Sequence, residues 1–416
     1  MLTLLILACN GGDEVDVTVE LSEAIPTVVT LSWEGGPGLV TVDGREIQGD
    51  GQALIVGLKP DTPYDFELAL DSGESGSGGL RTGLAPISLP LTSVEGQGID
   101  GFFATTVLST VSAGVLLDRD GEIVWWNLDE RADIQVVRCE PLLDGTGMVM
   151  GVSTNDPNAT ERAEEIIEIS WDGSQKNVLG APDYHHDLVQ LGDGDYLYLG
   201  LTSVEVEGKT VLGDTVVRLA ADGTTTELWN AFDDFPYDVE RVTSERAKYW
   251  SHANAMDVDR DARTLTVSLR NLNTIAHLDL DSGELLWAIG EFGTLELVGE
   301  YEYPWTRLQH QFDFIDDDTL IVFDNSTPDE LDTRVVIYDL DLSGGTYEEA
   351  WTWRSEDDLF AYAMGSVEVL PDGNYLVTIT SAAQLEQVTP AGESVWKVNG
   401  DIGAGLGYTA RVESLP

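Results

Sequence analysis

Three of the five histidines in this 416-residue chain head the same kind of segment: His186 in HHDLVQLGDGDYLYLG, His252 in SHANAMDVDRDARTLTVSLR and His310 in QHQFDFIDDDTLIVFDN. Each is followed by an alternating strand, an acidic or Gly turn and a second apolar strand, so the imidazoles occupy corresponding places in a repeated hairpin. Counted to the turn, His310 precedes Asp317 by the same seven residues that separate His186 from Asp193, and His252 starts its own strand. If the repeats close into a ring, these side chains meet on its axis. Imidazoles gathered there can serve as nucleophile, as general acid or base, or as metal ligands. Arg270 ends TLTVSLR, the partner strand of the His252 segment, and a cation in that place suits an anionic substrate. Asn254, Asn325 and His185 are candidate substrate contacts, although the two asparagines could equally satisfy backbone turns, and strand alternation turns His185 away from the side that His186 faces. His277, in TIAHLDLD, lies on an outer strand and reads as structural.

The elements that must position these residues repeat six times. One half of each unit is a strand, a short turn and a strand ending in Trp or a similar residue: GVLLDRDGEIVWWN, EIIEISWDGSQKNVL, TVVRLAADGTTTELWN, TIAHLDLDSGELLWAIG, RVVIYDLDLSGGTYEEAWTW and LEQVTPAGESVWKVN. The other halves include the three His segments, and hairpins at spacings of about 45 to 60 residues predict four-stranded blades. The expected fold is all-β: a six-bladed β-propeller over residues 90–416, with YTARVESLP pairing into the first blade to close the ring. Residues 233–249 have helical spacing and caps, which predicts an inserted helix over one mouth of the channel. Residues 15–87 read as a small β-sandwich preceding the propeller. In it LKPDTPY resembles the run before a late strand of fibronectin type III modules, Trp33 stands at the core position, and DSGESGSGG forms a hairpin tip.

Composition narrows the function. Asp and Glu number 75 against 21 Lys and Arg, a formal net charge of −54, while 42% of residues are hydrophobic, so the chain is folded and strongly acidic. Such a field repels nucleic acid and anionic membranes, yet screening over about 8 Å leaves a local cationic pocket free to act. Adaptation of the surface to a salty medium is the plainer reading of the charge. Residues 1–9 end in Ile6-Leu7-Ala8-Cys9, similar to a bacterial lipobox though without a basic n-region, which predicts acylation of Cys9 and a periplasmic or cell-envelope location. With Cys9 lipidated, Cys139 has no disulfide partner. No cofactor is implied. Zinc-binding spacings and HExxH are absent and a guanidinium would repel a metal, so no metal ligands are assigned.

The motifs HHDLVQL, SHANAMDVD, VSLRNLN, DSGELLWAIG, QHQFDF, LIVFDNS and YTARVESLP resemble the bacterial arylsulfate sulfotransferase family, whose members move a sulfuryl group between phenols without a nucleotide donor. They cover most of 180–330 and the final residues, in the family's order. The resemblance implies a six-bladed propeller behind an N-terminal β-sandwich, a phenolic sulfate donor, a phenolic acceptor and a ping-pong reaction. It also implies that His310 is the nucleophile that becomes transiently sulfated, with His252, Arg270 and His186 around the sulfuryl group. The chain departs from the family in lacking the paired cysteines of some members and in its small N-terminal domain. An imidazole of ordinary pKa, about 6.5, makes His252 the expected general acid for the leaving phenoxide. Two rival readings remain: a non-catalytic envelope binding module, and a metal-dependent phosphoesterase or lyase using Asp187 and Asp313.

Overall fold

Alternating apolar residues cut by Gly and Asp turns fold nearly the whole described chain into antiparallel strands. The computed structural model describes residues 3–5, 15–109, 111–131, 133–154, 162–241, 249–327, 333–357, 359–401 and 405–416. Cys9 lies outside them.

Near the N-terminus, six strands join in one sheet. Its two layers are continuous through a bent hairpin, Val29–Val42 with Arg45–Ile55, whose register breaks between Ser32 and Pro37. Before the break the first strand pairs with Val17–Leu21, and beyond it with Pro63–Leu70. Gly35 and Gly36 make this bend at φ of 120° and 90°, a region a Cβ disfavours. Val19, Leu31, Val40, Phe66 and Leu68 then close into one core. The Tyr64 hydroxyl accepts a hydrogen bond from the Lys59 amide at 2.9 Å and so pins the corner that the LKPDTPY run predicts. Pro63–Leu70 and Ser75–Arg81 pair across the Gly/Ser hairpin.

Six further sheets follow in sequence order, their first antiparallel strands starting at Phe102, Ile134, Tyr184, Ala253, Phe312 and Ser366. Trp side chains seal the seams: Trp125 Nε1 donates to the Trp171 carbonyl at 2.8 Å, and Trp396 Nε1 to the Arg119 carbonyl at 2.9 Å. Two carboxylates, Asp187 fully buried and Asp313 partly so, tie successive inner strands together. Asp187 accepts from the amides of Leu188 (2.9 Å) and, on the next sheet, Met256 (2.8 Å); Asp313 does the same with Phe314 and Val369, both at 2.7 Å. Burial pushes both carboxyls up to about 6. The two aspartates that a metal-dependent rival would use are thus committed to backbone amides.

The ring is locked from both ends. Ala410–Val412 pairs with Phe102–Leu108 in the first sheet, and Thr92–Gly96 pairs with Ser394–Gly400 in the last. The inserted segment departs from expectation. Among the described residues its α-helix is Ala231–Asp234, capped by Asn230 and ended because Pro236 keeps Phe235 out of helical geometry (φ −123°, ψ 73°). A 3-10 turn follows at Val239–Arg241, and 242–248 lie outside the described residues. Deleting residues 409–416 should expose the edge of Phe102–Leu108 and lower the melting temperature with aggregation, measured by thermal denaturation and light scattering. An unchanged melt would mean that the closing strand contributes nothing.

Candidate functional site

The residues His186 and His252 stand at the mouths of the third and fourth sheets in the left-handed region, with φ of 57° and 50°. Leu308 (53°) and Met364 (55°) make the corresponding turns in the fifth and sixth sheets. A non-glycine residue in this region costs about 1 kcal/mol or more and persists only where its surroundings demand it. By this marker His310 lies two residues beyond the position of His186 and His252, so the seven-residue count to the turn misplaces it. The three strands are irregular in different places, with two extra residues between His185 and Leu188, one between Ala253 and Ala255 and one between Phe314 and Asp316, so counting to the turn does not preserve their register.

The imidazoles nevertheless converge. The rings of His186 and His252 lie 5.0 Å apart in an edge arrangement, and Tyr249 stacks on His252 at 4.6 Å. His310 and Arg270 are close enough to His186 for their charges to disfavour its protonation. A cavity of about 520 Å³, sized for a small aromatic molecule, is lined by His185, His186, Met364, Gln135, Tyr362 and Thr380 among others. A second cavity, of about 740 Å³, is lined by Arg138, Asp257, Asp313, Glu368 and Arg411, away from the histidines. His277 is not at the site: it stacks on Trp287 at 4.5 Å and bonds Thr266.

Asn325 fixes the tautomer of His310. Its amide nitrogen donates to the carbonyls of Ala361 (2.9 Å) and Met364 (2.8 Å), which turns its oxygen towards His310 Nδ1 at 2.7 Å. An amide oxygen only accepts, so Nδ1 carries the proton and Nε2 presents a lone pair. That lone pair accepts the Met364 backbone N–H at 2.9 Å. Asn254 is fully buried. Its side-chain nitrogen donates to the Gln309 carbonyl at 2.8 Å, its own carbonyl accepts from the Tyr408 hydroxyl at 2.7 Å, and its side-chain oxygen has no partner. Both asparagines hold the chain around His310, and Asn254 keeps its side-chain oxygen unengaged.

Electrostatics leaves Arg270 as the fixed cation among the histidines. Burial, and then the Arg270 charge, push His252 down to about 3. The same two causes, in that order, take His310 well below its ordinary value, while burial followed by His185 and His252 lowers His186. Near neutral pH His252 is therefore a neutral imidazole, not the readily protonated group that an ordinary pKa would make it.

The sequence reading missed Asp214, Tyr249, Ser251 and the Met364 amide. Asp214 accepts from Tyr249 Oη (2.6 Å), Ser251 Oγ and the Ala253 amide (2.7 Å), and lies 3.1 Å from His185 Nε2. His185 Nδ1 meets His186 Nδ1 at 2.8 Å, so both its nitrogens are engaged within the protein. The available signal was an aspartate amid the apolar run VLGDTVVRL, since a carboxylate on such a strand is buried only if paired. Among the described residues no group of three His, Cys, Asp or Glu side chains could hold a metal ion.

A family model described as Arylsulfotransferase (ASST) matches residues 94–407. No curated protein matches the chain. Among solved structures, a Bacteroides caccae protein of unknown function is similar at 12% identity over 76% of this chain and 100% of its own, with a TM-score of 0.46. A streptogramin B lyase is similar at 13% identity over 76% and 100%, TM-score 0.41, and a chain of a nidogen/laminin complex at 10% identity over 76% and 100%, TM-score 0.44.

Because the site holds its imidazoles neutral, His252 should show no titration between about pH 5 and 8 by NMR of the free protein. Arg270→Met removes a like charge and should move the His252 midpoint upward. A midpoint near the ordinary value of about 6.5 in the intact protein would contradict this account.

Proposed function

Given that the chain belongs to the arylsulfotransferase family, we propose that it moves a sulfuryl group from an aryl sulfate to a phenolic acceptor in two half-reactions, through an N-sulfo intermediate on His310. The observation that carries this reading is the state of His310: Nδ1 protonated against Asn325, Nε2 unprotonated with the Met364 N–H on its lone pair, and protonation depressed by burial and then by Arg270. In the first half-reaction the Nε2 lone pair attacks sulfur as the S–O bond to the aryl group breaks, and the bond pair leaves on the phenoxide. The imidazole becomes an N-sulfo zwitterion, its ring positive and its sulfonate negative, and the Nδ1–H still donates to Asn325, which disperses the ring's new charge. In the second, the acceptor oxygen attacks sulfur, the S–N bond breaks, and the phenol gives up its proton. Splitting one transfer into two in this way lowers each barrier.

Arg270 suits the sulfuryl oxygens as the fixed cation beside the three imidazoles, and preorganised charge of this kind is the largest expected contribution to rate. The Met364 N–H, already on Nε2, has to be displaced or redirected to a sulfuryl oxygen when sulfur arrives. His252 begins neutral and acts first as a hydrogen-bond donor; an anion in the site favours its protonated form. For location we propose an envelope protein acylated at Cys9, a reading supported by Ile6-Leu7-Ala8-Cys9 alone and tested by mass spectrometry of the native N-terminus.

With p-nitrophenyl sulfate and phenol, the protein should release nitrophenol and form phenyl sulfate, and rapid quenching should trap an acid-labile adduct of one sulfuryl mass on His310. His310→Asn should lower turnover by about 10³-fold or more, the scale on which covalent nucleophiles act. Absence of release from the wild type, with no effect of His310→Asn, would leave a binding module.

A further inference from the structure

Asp214, His185 and His186 form a hydrogen-bonded line from the protein interior to the cavity. Asp214 lies on the strand Lys209–Leu219 at 0% exposure. Burial alone would raise its pKa, but hydrogen bonds from His185, Ser251 and Tyr249 bring it below the ordinary carboxylate value, so it is an anion. A carboxylate only accepts, and His185 Nε2 at 3.1 Å therefore carries a proton. The two facing Nδ1 atoms, 2.8 Å apart, share one proton. When both rings are neutral that proton belongs to His186 Nδ1, and His186 Nε2 is the nitrogen of the pair left bare. His186 lines the cavity together with Met364, whose amide sits on His310 Nε2.

We propose that Asp214 and His185 are positioning residues that make His186 the general base for the acceptor phenol and the general acid for the departing phenoxide. Resting on the sulfuryl-transfer reading, the step balances as follows. The phenol proton goes to His186 Nε2 as the oxygen–sulfur bond forms, and the bridging proton moves from His186 Nδ1 to His185 Nδ1. His185 becomes the imidazolium, paired with Asp214. The charged line, with the proton stored on His185 against Asp214, is the form that meets the donor: reversal of both transfers delivers that proton to the leaving phenoxide and returns the line to the neutral form that receives the acceptor.

The charges around the line explain why the proton travels inward. His186 faces Arg270, His252 and His310 as well as His185, so a second cation held on its own ring is opposed from several sides. His185 instead faces the Asp214 carboxylate, with the Tyr249 hydroxyl on the same oxygen. Tyr249 also stacks on His252, which keeps the line and the second imidazole in one rigid group. One inward hop thus moves the charge away from Arg270 and onto the buried anion.

The test compares full-length wild type, His185→Gln and Asp214→Asn with two donors. The p-nitrophenyl anion leaves without protonation, whereas phenoxide, with a pKa of about 10, needs a proton. A glutamine at 185 can donate to Asp214 and accept from His186 Nδ1, so it keeps the geometry, but it cannot take the proton. His185→Gln should therefore lose about 10²-fold more activity with phenyl sulfate than with p-nitrophenyl sulfate, the range of general acid–base catalysis. The same variant should lose the low-pH limb of the acceptor half-reaction. An equal loss on both donors, or none on either, would overturn the relay. Asp214→Asn should show the same donor bias; because Ser251 and Ala253 also depend on Asp214, His185→Gln decides if that variant does not fold. If the wild type forms no adduct with either donor, the sulfuryl-transfer reading fails, not the relay alone.

Discussion

A single guanidinium among imidazoles that burial keeps neutral is the constraint on which the site depends. Arg270 opposes protonation of His186, His252 and His310 together. Neutral rings keep lone pairs, and lone pairs are what a nucleophile and a base require. The same guanidinium makes the centre attractive to an anion inside a chain of formal charge −54. These two facts are compatible because distant surface charge is screened within about 8 Å, while the charge at the channel mouth acts at contact range. Selectivity then falls to a local field rather than to the field of the whole molecule.

The backbone supplies the precision. Three histidines on three sheets can converge only if the sheets hold a fixed angle, and the carboxylate staples of Asp187 and Asp313 fix adjacent inner strands through buried amide bonds. Left-handed residues at the mouths of four sheets turn the chain at the same depth, and two of them are the histidines themselves. Asn325 and Asn254 then set His310 from two directions, one through its ring and one through the carbonyl just before it. Function here depends on torsion angles and amide orientation as much as on the imidazoles.

Much of this was legible in the sequence, for reasons that particular residues make clear. The repeated hairpins announce the sheets because alternation and Gly/Asp turns are local signals, and the pairing of YTARVESLP with the first sheet follows from the need to cover an edge. The gathering of His186, His252 and His310 was visible once they were counted as repeats. Their relative register was not, because bulges at His185 and at Ala253 add residues with no compositional mark. Asp214 was hidden for a different reason: its partners come from Ala253, Ser251, Tyr249 and His185, remote in sequence and joined only by the fold. In the described part of the helix expected over 233–249, Pro236 ends the α-helix after Asp234, a stop that caps and spacing did not outweigh. His252's neutrality was also out of reach, since desolvation is a property of the packed state.

The double lock of the ring has a kinetic side. Thr105 and Thr409 touch Gly407 and one another across 302 and 304 residues of chain, and Thr92–Gly96 lies against Ser394–Gly400. Pairings this distant give a high contact order and a slow final step, because loop-closure entropy must be overcome before the seam rewards it. Until that seam forms, the sheets bearing His186, His252 and His310 have no fixed angles between them. The reactive centre is therefore the last thing the folding chain acquires and the first it forfeits, so activity itself reports, as an internal gauge, whether the circle is shut.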